Sequence, residues 1–105
     1  MLDLNKTDLP IEHRSERLPG IMRQDIYQLH DIVYTEWYDD LSGQFLYGHI
    51  TMYGNEKVCV VGPDGGISMN IPTGWIQDHK SMMMHIDDLK QLDTFLCVIS
   101  DQYNK

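Results

Sequence analysis

"DIVYTEWYDD" (Asp31–Asp40), followed by "LSGQFLYGHITMY" (Leu41–Tyr53), decides the fold. In the first stretch Val33, Thr35 and Trp37 alternate with Ile32, Tyr34, Glu36 and Tyr38. A period of two in β-branched and aromatic residues is the pattern of a pleated strand. "DDLSGQ" (39–44) has the composition of a loop. The second stretch alternates again, with Phe45, Tyr47, His49, Thr51 and Tyr53 on one side and Leu46, Gly48, Ile50 and Met52 on the other.

The same grammar continues downstream. "GNE" (54–56) is a turn, "KVCVVG" (57–62) an apolar run of strand length, and "PDGG" (63–66) a tight connection. In the last, proline presets φ and glycine permits positive φ. "ISMNI" (67–71) alternates Ile67, Met69 and Ile71 against Ser68 and Asn70. Four strands joined by short loops predict an antiparallel meander.

Beyond "PTGWIQDHK" (72–80), a crossover without a clear period, the repeat changes. Met82, Ile86, Leu89, Leu92, Leu96, Ile99 and Tyr103 follow at spacings of three and four, one face of a helix. Ser81 is placed to cap its start, with Asp88 as an alternative cap. Met84, Phe95 and Val98 form a second apolar line on the other side, which requires a further cover. That cover is either the N-terminal segment or another chain.

Upstream, "DIYQLH" (25–30) either extends the first strand or forms a short helix. Residues 1–23, interrupted by Pro10, Pro19 and Gly20, predict an extended arm that packs loosely or becomes ordered on a partner. The expected organisation is thus an arm over 1–23 and a single α+β domain over 24–105. In that domain a four-stranded antiparallel meander carries a long C-terminal helix packed on one face.

Formal net charge is −8 in 105 residues, and it is unevenly placed. Residues 1–23 hold four basic and four acidic residues, which cancel; residues 24–105 hold four basic against twelve acidic and carry the whole −8. Such a surface repels phosphate backbones and steers basic proteins toward it. No apolar run approaches the roughly 20 residues of a membrane span, and no secretory leader opens the chain, so a cytoplasmic protein without membrane contact is expected. Cys59 and Cys97 both lie among apolar neighbours and read as buried free thiols.

"KSMMMHIDD" (80–88) has the composition of a soft-metal site, but successive helical residues point about 100° apart and do not converge on one ion. No histidine or cysteine spacing fits a metal centre, and neither a nucleophile motif nor a phosphate loop is present. No metal, cofactor or catalytic residue is therefore assigned. The remaining candidate is a recognition surface: Tyr34, Glu36, Tyr38, Tyr47, His49 and Tyr53 on a sheet face, and Met84, Phe95 and Val98 on the helix. Tyrosine is enriched in binding hot spots, although cross-strand aromatic pairing also serves to stabilise a solvated sheet. The expected function is a small acidic, non-catalytic protein-interaction module that inhibits or neutralises a basic protein partner, with a homodimer as a further state. The alternative is a small-molecule or metal-binding module with a pocket lined by Met69, Trp75, Met82 and His85.

Overall fold

In a computed structural model the chain forms six antiparallel strands and a C-terminal helical segment. The structure describes residues 2–52, 56–64 and 66–103. The strands are β1 (Glu12–Leu18), β2 (Met22–Leu29), β3 (Ile32–Asp39), β4 (Phe45–Met52), β5 (Glu56–Val61) and β6 (Ile67–Met69), neighbours in space in the order of the sequence. The helices are α1 (Thr73–Ile76), α2 (His79–Met84) and α3 (Ile86–Tyr103).

The architecture is α+β with an antiparallel meander, but the meander has six strands, not four. Both additional strands come from residues 12–29, where an arm and an ambiguous segment were expected. Two turns explain them. Leu18–Pro19–Gly20–Ile21 closes with Ile21 N donating to Leu18 O (3.0 Å), and Gly20 has φ +77°. Proline followed by a left-handed glycine is the type II turn combination, and it sets the β1–β2 register. His30 and Asp31 form a two-residue turn between the paired Leu29 and Ile32. His30 takes φ +54°, a region in which histidine is enriched among non-glycine residues. The loop at 39–44 falls where composition placed it, with Asp39 Oδ1 accepting from the Leu41 and Ser42 amides; Gly62 N donates to Gly66 O across the connection expected at 63–66, and the turn expected at 54–56 lies largely outside the described residues.

One face of the sheet, here the inner face, carries Tyr27, Leu29, Ile32, Tyr34, Ile50 and Met52. With Val58, Cys59 and Val61 of β5 they form a core with Leu92, Phe95 and Ile99 of α3. Phe95, fully buried, meets the Tyr34 ring edge-on at 6.0 Å between centroids. The helix line assigned to a partner surface is thus corrected at Phe95, which lies at the centre of the core stripe. Phe95 lies three residues after Leu92 and four before Ile99, so it shares their face of α3. The helix is interrupted at His85 (φ −109°, ψ 17°), so α2 does not continue that stripe, and Met82 is exposed. Asp78 caps α2 in place of Ser81, its Oδ1 accepting from Ser81 N at 2.8 Å.

Residues 2–11 are part of this core. Leu2 is buried, with its amide donating to the Tyr27 hydroxyl (3.0 Å), and Leu4, Leu9 and Ile11 pack against the same cluster. Gln102 fastens the segment to α3: its Oε1 accepts from Asp3 N (2.7 Å) and its Nε2 donates to Asp3 O (3.1 Å). Cys59 is buried and Cys97 exposed, a correction to the reading of two buried thiols. Burial pushes the Cys59 thiol up to about 11, which makes it a small apolar residue in practice.

Phe95→Asp is expected to abolish cooperative thermal unfolding, because it buries a carboxylate without a partner. Phe95→Ala should lower stability by about 3–5 kcal/mol. A folded monomeric Phe95→Asp variant would place this side chain at an interface instead.

Candidate interaction surface

Strand register divides the tyrosine set between two faces. Tyr34 lies opposite Ile50 and Glu36 opposite Gly48, while Tyr47 and His49 lie opposite Trp37 and Thr35. Tyr34, Glu36 and Tyr38 therefore point inward and are buried, and Tyr47 and His49 point outward. The single surface expected from these six residues is corrected accordingly: an offset of one residue in pairing exchanges the faces. A bulge after Trp37 adds to this, because Phe45 then pairs with Tyr38 on the inner side (5.5 Å, edge to face) while Tyr47 stays outside. Tyr53 lies outside the described residues.

The inward set forms a polar cluster at the end of the inner face. Asp25 and Glu36, both fully buried, occupy opposite positions on β2 and β3. Each has its own donors. Asp25 Oδ1 accepts from the Ser15 hydroxyl (2.6 Å) and lies 3.0 Å from His13 Nε2, while Arg23 Nε donates to Oδ2 (3.2 Å). Glu36 accepts from the hydroxyls of Tyr34 (2.9 Å) and Tyr38 (3.1 Å). Arg23 also lies over the Tyr38 ring, 4.7 Å from its centroid, and His13 stacks on Tyr27 at 4.6 Å. Burial alone would raise the Asp25 carboxyl. The Ser15 and His13 hydrogen bonds and the Arg23 charge outweigh it and hold the group below the usual carboxylate range. Burial, next to Glu36, pushes the Tyr34 hydroxyl far up, so it stays a donor. Donors committed in this way make the two carboxylates a structural network that joins β1, β2 and β3.

The outer face is different. Glu16, Gln24, Trp37 and Tyr47 are cross-strand partners in one row over β1–β4, and Arg14, Ile26, Thr35, His49 and Val60 form the next row over β1–β5. Trp37 stacks nearly parallel on Tyr47 (4.7 Å, 14°) and tilts against His49 (4.6 Å, 49°). Tyr47 remains 41% exposed, so one side of this ladder is open. Burial on the sheet, with Lys57 nearby, holds the His49 imidazole below its usual pKa, and its Nδ1 has no hydrogen-bond partner among the described residues. Beside the ladder, Glu16, Arg17, Leu18, Met22 and Gln24 line a groove of about 240 Å³. Exposed Leu18, Ile21 and Leu41 continue it around the hairpin tips. Those tips are held together by Asp40, which accepts from Arg17 Nε (2.7 Å) and the Gly20 amide (2.7 Å).

The other candidate residues separate. Met84 is 73% exposed on α2, while Val98 is half-buried over a hollow shared with Lys6, Thr7, Asp101 and Gln102. Of the residues assigned to a ligand pocket, Trp75 and His85 stack flat on each other (4.9 Å, 10°), and Met69 and Met82 are largely exposed. Among the described residues no group of three or more His, Cys, Asp or Glu side chains could hold a metal ion, and no helix is long and apolar enough to cross a membrane. No protein-family profile, curated protein or solved structure matches the chain.

The pH dependence of the network has a definite sign. A carboxyl whose folded pKa is depressed stabilises the fold above its unfolded pKa, and that stabilisation is lost as pH falls through the folded value. Asp25→Asn is expected to lower stability at neutral pH and to flatten the loss of stability as pH falls below about 4, the ordinary aspartate value. Denaturant midpoints measured across this range check it; parallel curves for the variant and the unaltered chain would contradict the assignment.

Proposed function

We propose that this chain is a non-catalytic interaction protein that binds a basic protein partner through the outer face of its sheet. The observation that carries the reading is the open Trp37–Tyr47–His49 ladder beside the groove lined by Leu18, Met22 and Gln24. A stacked tryptophan and tyrosine offer a large, pre-ordered contact area at low entropic cost, which is how binding hot spots are built. The net charge of −8 supplies long-range attraction to a basic surface and disfavours nucleic acid as the direct ligand.

Exposed carboxylates are distributed over the β2–β3 turn (Asp31), the connection after β5 (Asp64) and the helices (Asp87, Asp93, Asp101). This distribution favours charge steering toward an aromatic anchor over a phosphate-like row laid into a groove. Occupation of a basic patch on the partner would neutralise or inhibit it. The Asp25 and Glu36 carboxylates support a non-catalytic role, since protein donors hold both.

Capture from source lysate at low and high salt, compared with Trp37→Ala and Tyr47→Asp, tests the proposal. The unaltered chain is expected to retain a basic protein in a salt-sensitive manner, and both variants are expected to lose it with unchanged far-UV circular dichroism. Retention that both variants preserve, or no retention at low salt, would refute it.

A further inference from the structure

We propose that β1 is a homodimer seam, pairing antiparallel with β1 of a second copy about a two-fold axis at Ser15. Strand β1 is the free edge of the sheet, and all seven of its residues are exposed. The opposite edge, β6, has only three residues. A long exposed edge presents unpaired backbone donors and acceptors to another strand.

The occupant follows from charge. Residues 1–23 carry no net charge, and residues 24–105 carry the full −8. Two copies therefore meet with least repulsion through β1. The sequence "EHRSERL" (12–18) also complements itself in reverse. With Ser15 opposite Ser15, Arg14 of each copy faces Glu16 of the other, twice across the axis, on the outer face. The registers two residues to either side set Arg14 against Arg14 or Glu16 against Glu16, and like charges directly opposite are destabilising. Within one copy Arg14 and Glu16 are only loosely paired, 3.7 Å apart and 68% and 61% exposed, so both are available. On the inner face the same register sets His13 opposite Arg17. These are already engaged with Asp25 and Asp40 of their own chain. The contact is isologous and closes after two copies. It places two aromatic outer faces side by side on one continuous sheet, so that a partner is engaged bivalently.

Sedimentation or light scattering of the full chain tests the seam without any partner, separately from the binding function. The unaltered chain is expected to dimerise at about 100 μM. Arg14→Glu and Glu16→Arg should each weaken dimerisation roughly tenfold to hundredfold, since two attractive pairs become repulsive. An equimolar mixture of the two variants should recover the dimer, because the two acidic positions of one then meet the two basic positions of the other. A monomeric unaltered chain, single variants with unchanged mass, or a mixture that stays monomeric would each overturn the proposal. The last outcomes would leave the charges of β1 as a guard against edge pairing.

Discussion

Tyr34 can lie against β4 only because residue 48 is glycine. A Cβ at Gly48 would stand 2.8 Å from the Tyr34 ring and 3.2 Å from a backbone oxygen of Thr35. The ring occupies that space, meets Phe95 at one edge and donates its hydroxyl to Glu36. One side chain therefore fixes the β3–β4 register, seats α3 and begins the polar network that reaches β1 through Asp25. A buried carboxylate is costly unless hydrogen-bonded. Glu36 thus requires Tyr34 and Tyr38 on its own strand to be inward, and this excludes the register that would turn them out.

This constraint commits the inner face to structure and leaves the outer face for the proposed recognition. The inner face is filled by the core and by two carboxylates held by protein donors, which leaves little chemistry for a ligand. The outer face carries the aromatic ladder and the groove. Glu16 belongs to the rim of that groove and to the free edge, so the proposed partner site and the proposed dimer seam share β1.

The strands from Ile32 onward were legible because each is an alternating or apolar run of strand length and their connections carry glycine, proline and aspartate at positions where turns need them. Residues 12–29 were not, for two reasons. "EHRSERL" is polar on both faces, so an edge strand of this kind has no hydrophobic period to detect. The His30–Asp31 turn lacks the Asn-Gly or Asp-Gly pair that usually marks a two-residue hairpin. The helix was visible in its spacing, but its interruption at His85 was not, and that break takes Met82 off the core stripe; Phe95 belongs to the stripe by its spacing of three and four from Leu92 and Ile99. The face assignment failed at the register: alternation gives which residues share a side within a strand, and the pairing between strands was invisible without Gly48 and the bulge after Trp37. Trp37 was the missed member of the outer ladder. Its signal was its place one residue out of phase with Tyr34, Glu36 and Tyr38.

Tyr34 and Glu36 form one buried unit that sets the inner face of the sheet. A double-mutant cycle with Tyr34→Phe and Glu36→Gln, read by denaturant unfolding, measures that unit directly. A coupling energy of about 1–3 kcal/mol is the expected result for a buried hydrogen bond to a charged acceptor. Strictly additive losses, with no coupling, would contradict the account and would free Glu36 for a role other than holding the sheet.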